Sequence, residues 1–252
     1  MAVTAVIALT VVGIATAANN KPVTVRSGNL ELTVNGGFTP TTLPKKTLAP
    51  ILFSGSGKIK TVDGTHPPAL KEFVLETDKN GVLNVTGFPT CTSGKLQSQD
   101  SEHAKAICKS AIVGEGKTDV EIAFPESKVV PVKSPLLIFN GGKKGGVITF
   151  FVHAYITVPV PAAIVTTVKV KKINKGRYGY LTTASVPKIA GGSGSVTSFA
   201  FTFGKKYTYK GKKMSIISAK CPDGKLQANG TAVFADGTRA SAGVVRTCTG
   251  KG

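Results

Sequence analysis

Val147-Ile148-Thr149-Phe150-Phe151-Val152-His153-Ala154-Tyr155-Ile156-Thr157-Val158 decides the class of fold. Ile148, Phe150, Val152, Ala154, Ile156 and Val158 occupy every second position, and Thr149, Phe151, His153 and Tyr155 fill the places between. Side chains of a strand point alternately to its two faces, so a period of two means one apolar face and one mixed face. Downstream, the segments Ile164 to Ile173 and Arg177 to Val186 flank Asn174-Lys175-Gly176 and read as a hairpin. Val168 and Val170 then face the core, and Lys169 and Lys171 face solvent. Phe199, Phe201 and Phe203 make another alternating face. Lys225 to Phe234 and Thr238 to Thr247 flank Asp236-Gly237, a strong two-residue hairpin signal. Upstream, Ile51 to Val62, Lys71 to Thr77 and Val82 to Thr86 have strand composition, and Asn80-Gly81 predicts a hairpin between the last two. Thr24 to Val34 reads as a strand broken at Ser27-Gly28, and Gly36 to Pro50 as an irregular connection.

This wealth of Val, Ile, Thr, Gly and Pro predicts an all-β fold: a two-sheet antiparallel sandwich or a barrel-like closure, with about twelve strands. One short helix is expected near 99–109. Ser98 can cap it, Asp100 and Glu102 suit its first turn, and Lys105 and Lys109 suit its end. Ala104, Ile107, Cys108 and Ala111 would form its buried stripe.

Residues 1–18 read as a signal peptide, because Val3 to Ala17 is almost wholly apolar and Ala15-Thr16-Ala17 offers small residues for cleavage. No Lys or Arg precedes the run, which is too short for a comfortable membrane span. Residues 19–252 then form a secreted β-rich domain, as one unit or as two tightly packed halves meeting near 127–146. Four cysteines in an exported chain read as two disulfides. Cys91 lies just before the expected helix and Cys108 on its buried stripe. Cys221 and Cys248 lie at the far ends of the last hairpin. The local pairs Cys91–Cys108 and Cys221–Cys248 are therefore favoured. Zinc would want C-x-x-C pairs or nearby histidines, and His66, His103 and His153 share no ligand spacing, so neither metal nor cofactor is expected.

Pro89-Thr90-Cys91, the Ala/Lys helix ending at Cys108, Val113-Gly114-Glu115-Gly116, Cys221-Pro222-x-Gly224, Phe234-x-Asp236-Gly237-Thr238 and Cys248 together resemble a group of uncharacterised exported actinobacterial proteins. The resemblance runs from about Leu48 to the C-terminus. It implies export and two disulfides, and it implies no activity.

The formal net charge is +19, unevenly spread. Residues 127–222 hold 16 Lys and Arg and no Asp or Glu, whereas residues 1–126 hold 12 basic and 11 acidic residues. Such an excess makes a positive field that draws anions. The candidate anion-binding surface is Lys169, Lys171, Lys172, Lys175 and Arg177 on one hairpin, with Lys205, Lys206, Lys210, Lys212 and Lys213 on the next. Lys outnumbers Arg 28 to 4, which suits a diffuse field better than a shaped phosphate site. An anionic wall polymer or an anionic lipid surface is the expected partner. Tyr207 and Tyr209 between the lysines could hold single-stranded nucleic acid, but export argues against it. The bland alternative is a Lys-rich surface that resists aggregation.

Catalytic motifs do not assemble. Ala111 to Thr118 matches a loosened P-loop, yet a helix precedes it and a strand follows it, the reverse of the phosphate-cradling order. Asp63 and His66 share an ordinary turn. His153 has the most interesting setting of the three histidines, on a strand face between Phe151 and Tyr155. The reading is thus an exported, non-enzymatic protein that associates with anionic cell-envelope material. The alternative is a barrel-like carrier of an apolar ligand, and the third is a hydrolase without a recognisable motif. A carrier needs an apolar hole, and an envelope binder needs only a positive face.

Overall fold

The computed structural model describes residues 21–252, so the leader expected at 1–18 lies outside the described residues. In chain order the elements are β1 (Val23–Ser27), β2 (Leu30–Thr39), β3 (Thr42–Pro44), β4 (Ala49–Pro50), β5 (Leu52–Thr61), β6 (Leu70–Asp78), β7 (Gly81–Leu83), α1 (Ser93–Leu96), α2 (Ser101–Ile107), β8 (Ile112–Ile122), β9 (Val130–Lys144), β10 (Val147–Ile156), β11 (Ala162–Lys175), β12 (Tyr178–Ser185), β13 (Gly194–Phe203), β14 (Lys206–Tyr209), β15 (Lys212–Ser215), β16 (Ile217–Ala219), β17 (Lys225–Phe234), β18 (Arg239–Thr247) and β19 (Thr249–Lys251).

Twelve strands form one antiparallel sheet in the order β1-β2-β5-β13-β8-β9-β10-β11-β12-β6-β17-β18. Its first and last strands meet, because β18 runs beside β1 and the free part of β2, so the sheet is nearly closed into a barrel. Arg246 of β18 ties this seam: its guanidinium donates to the carbonyls of Lys21 and Gly36 and to Asn35 Oδ1. β9 (Val130–Lys144) runs in the middle of the sheet, between β8 and β10.

The alternation read from the sequence sets which face turns inward. Ile148, Phe150 and Ile156 of β10 are buried, and so are Val170 of β11 and Ile59 of β5. One end of the barrel is filled by Val85, Phe88 and Ile216, which pack on Ile148, Phe150, Val170 and the Phe203 ring. At the other end, Leu30, Leu32 and Ile59 meet Ala232, Phe234 and Ala240. Beside them, Val120, Ile122, Val132, Ile156 and Ile189 form a further cluster. The outward face is polar: Lys58 and Lys60 on β5, Lys117 and Glu121 on β8, and Lys169 and Lys171 on β11.

Five local expectations need correction. Asn80-Gly81 makes no hairpin, because β7 leaves β6 and pairs with β16. The helix is two short pieces, and the cap of α2 is Asp100 rather than Ser98; its Oδ1 accepts from the His103 N–H at 2.8 Å. Ala104, Cys108 and Ala111 are buried as expected, but Ile107 is half exposed, since so short a helix turns it away from the barrel wall. The segment 36–50 is more ordered than expected, carrying the end of β2 together with β3 and β4. Both disulfides form as read, Cys91–Cys108 and Cys221–Cys248. The first joins the helical segment to the loop after β7, where Cys91 N–H donates to the Asn140 carbonyl.

Candidate binding surface at one end of the barrel

An antiparallel barrel sends alternate connections to opposite ends. One end collects segments 40–51, 79–92, 143–146, 172–177, 204–225 and 248–252. Backbone bonds hold them together there: Lys45 N–H to Lys251 O at 3.0 Å, Cys221 N–H to Pro44 O at 2.8 Å, Lys220 N–H to Asn80 O at 3.1 Å and Lys79 N–H to Arg177 O at 3.0 Å. These segments carry sixteen basic residues and a single acid, Asp223. The helical segment 93–111 leaves from the same end with Lys95, Lys105 and Lys109 against Asp100 and Glu102. The opposite end surrounds a depression of about 630 Å³ lined by Ser27, Pro67, Pro125, Ser193 and Asp236 among others. Its connections hold Asp63, Glu126 and Asp236 against Lys128 and Lys188. The barrel is therefore electrically polar along its axis.

Nine of the ten singled-out residues are exposed cations at or near the basic end: Lys169, Lys171, Lys172, Lys175, Lys205, Lys206, Lys210, Lys212 and Lys213. Lys169 and Lys171 stand on the outward face of β11, opposite Thr183 and Leu181. Lys205 also donates to the Ile112 carbonyl at 3.3 Å and lies 5.8 Å from the Phe88 ring centre. Lys175 is exposed but bound to Glu76 at 2.9 Å, which raises its pKa. Arg177 has a different role. Its Nε donates to Asp78 Oδ2 at 2.6 Å, its two other nitrogens grip Asp223, and Nη2 also reaches the Lys225 carbonyl at 2.6 Å. It ties β6, β12 and β17 together rather than facing an anion. Asp223, then Asp78, hold its pKa above the ordinary arginine value.

Five further cations of this end, Lys45, Lys46, Lys79, Lys225 and Lys251, lie outside the acid-free 127–222 run, so a linear charge count passes over them. Lys143 and Lys144 tip the β9–β10 hairpin, a position that Gly145-Gly146 could have flagged.

The two tyrosines of the Lys-rich hairpin do not offer open stacking faces. Tyr207 meets Phe88 edge-on at 5.0 Å and donates to the Thr86 carbonyl at 2.8 Å, and burial raises its pKa. Tyr209 lies over Gly87, where a Cβ would come within 2.1 Å of the ring.

The other singled-out residues have structural settings. Glu115 and Lys117 of the loosened P-loop pattern sit on β8, whose backbone is paired with β9 and β13, so no phosphate-cradling loop exists. They edge a shallow outer groove of about 640 Å³ that crosses β2, β5, β13 and β8, with Ser54, Ser56 and Ala200 in its floor. Asp63 accepts from the backbone and hydroxyl of Thr65, the hydroxyl being the main cause of its strongly lowered pKa. His66 turns elsewhere, to the Glu121 carbonyl at 3.1 Å. His153 is buried beneath the helical segment, with Nε2 2.9 Å from the Gln99 carbonyl. Its Nδ1 has no partner, and desolvation lowers its pKa. Among the described residues no three His, Cys, Asp or Glu gather as metal ligands, and no helix is long and apolar enough to cross a membrane. Comparison with family models, curated proteins and solved structures gives no match.

Proposed function

We propose that this chain is an exported, non-enzymatic barrel whose lysine-rich end associates with anionic cell-envelope material, either a wall polymer or a lipid surface. The observation that carries the reading is the axial polarity: the connections of one end carry sixteen basic residues and one acid, and those of the other end carry two basic and three acidic residues. Lysines spaced over a barrel end act as hydrated point charges, which suits a repetitive polyanion better than one small anion. The two disulfides support an oxidising destination outside the cytosol.

Sedimentation of the purified protein with phosphatidylglycerol vesicles, and separately with isolated cell wall, tests this at low and high salt. Binding is expected at low salt and falls steeply as salt rises, because such charges are screened beyond about 8 Å at physiological ionic strength. Replacing Lys169, Lys171, Lys205 and Lys206 with Gln weakens it more than replacing Lys58, Lys60, Lys71 and Lys133, which stand on the walls away from that end. Equal loss from both sets, or retention that salt does not change, overturns the proposal.

A further inference from the structure

We infer that the end opposite the lysines is a self-association surface, on which a second copy of this chain docks tip to tip to form a two-fold dimer. The inference goes beyond the lysine-rich end and does not rest on it.

The first observation is where apolar surface is left bare. Of the eight large apolar side chains exposed among the described residues, four lie on two connections of this end: Phe124 and Val129 between β8 and β9, and Val158 and Val160 between β10 and β11. Those connections are neighbours. β9 and β10 are paired as far as Leu137 and His153, and the Tyr155 N–H still donates to Ser134 Oγ at 2.8 Å. At the roots of the two connections, Val130 and Ala162 pack against one cluster with Val132 and Ile156. The four exposed side chains thus crown a packed core and are not scattered singly. Contiguous bare apolar surface of this kind marks an interaction site. Pro125, Pro159 and Pro161 fix φ in the two connections, which lowers the cost of ordering them in a contact. The surface is small beside the roughly 800 Å² per partner of a stable complex, so the dimer is weak and concentration-dependent.

The second observation is charge, and it selects the occupant. With a net charge of +19, two copies repel over most of their surfaces. Meeting at the basic ends would set sixteen basic residues against sixteen. The opposite end, with three acidic and two basic residues on its connections, is where two copies approach with least repulsion, and it leaves the lysines at the far poles. Between Phe124 and Val129 stand two charges, Glu126 and Lys128. Both are exposed, and among the described residues neither has an ion-pair partner within the chain. Glu126 takes a left-handed backbone, φ 58°, in a turn closed by the Ser127 N–H donating to the Phe124 carbonyl at 3.2 Å. In a two-fold contact, residue i meets j and j meets i. One Glu and one Lys two positions apart are self-complementary under that symmetry: Glu126 of each copy meets Lys128 of the other, around an apolar centre. On the reading proposed above for the lysines, such a dimer is bivalent and joins two anionic surfaces.

Sedimentation equilibrium of the purified protein, free of polyanions and reductant, reads the association. A monomer–dimer equilibrium is expected that strengthens several-fold from low to high salt, because salt screens the repulsion between copies. Binding at the lysine-rich end weakens under the same change, so the two readings fail separately. Val160→Glu places a charge in the apolar contact and should weaken the dimer at least about tenfold. Leu52→Glu, at another exposed apolar residue but near the basic end, should leave it unchanged. Glu126→Lys and Lys128→Glu should each weaken it several-fold, although they move the net charge in opposite directions, and the double exchange should restore it. All four positions are exposed, and far-UV circular dichroism establishes folding. Monomers at every concentration, association that falls with salt, equal dimerisation of the Val160→Glu and Leu52→Glu variants, or a double exchange that restores nothing overturns the inference. So does a chain that stays monomeric and floats with neutral phosphatidylcholine vesicles, a result that gives the apolar tips to a bilayer.

Discussion

Arg177 lies within the basic stretch of the sequence, yet its side chain is only 23% exposed and is spent on Asp78 and Asp223. Asp78 is 4% exposed and also accepts the N–H groups of Asn80 and Gln227, so one carboxylate anchors three segments. Asp78→Asn should cost about 3 kcal/mol in a urea titration, the range for breaking a buried pair and stranding its partner. Lys206→Gln, with no such duties, should stay within about 0.5 kcal/mol. Lys117→Ala should do the same and leave any nucleotide response unchanged, since Lys117 is an exposed strand residue. His153 gives a pH dependence. Burial lowers its folded-state pKa below the ordinary value of 6.5, against weaker opposition from the Gln99 carbonyl and Asp100. The unfolded chain therefore takes up the proton first, so stability is full above pH 6.5 and declines as the pH falls below it. The melting temperature should drop between pH 7 and pH 5, and His153→Phe should flatten that slope.

At the scale of elements, what the sequence made legible was long and locally determined. The β17–β18 hairpin is visible from Asp236-Gly237, and the apolar face of β10 from its period of two, because each signal and its cause lie within about a dozen residues. What stayed hidden depends on distant partners. Asn80-Gly81 has the chemistry of a tight turn, but β16, more than 130 residues away, takes β7 as its partner. The end of β2 reads as irregular because its Gly36 and Gly37 lack strand propensity, and it is pairing with β5 that makes it a strand. The disulfides were legible because both are local, with separations of 17 and 27 residues. Closing loops of these lengths should stabilise the fold by about 3 and 3.5 kcal/mol. The Cys91→Ser/Cys108→Ser and Cys221→Ser/Cys248→Ser double variants should each lose that much in a denaturant titration. Non-reducing peptide mapping checks the pairing itself.

Across the whole molecule, a net charge of +19 on a 26.0 kDa chain repels itself. Salt or a soluble polyanion should raise the melting temperature, and the Lys169, Lys171, Lys205 and Lys206 to Gln variant should melt higher than the parent at low salt, with the gap closing as salt is added. Eleven of the sixteen basic residues of the basic end were legible as part of the 127–222 charge run. The rest was not, because only barrel closure carries Lys45, Lys46, Lys79, Lys225 and Lys251 to the same end. That closure also has a consequence in time. The seam joins Lys21 to Arg246, so the first strand waits for nearly the last residues of the chain before its open edge is covered. A chain emerging N-terminus first carries β1 and the end of β2 with an open edge until β18 is made, and such edges recruit strands from other chains. Folding should accordingly be slow, as for other proteins dominated by distant pairings. A chain cut short before β18 should aggregate rather than settle into a smaller barrel.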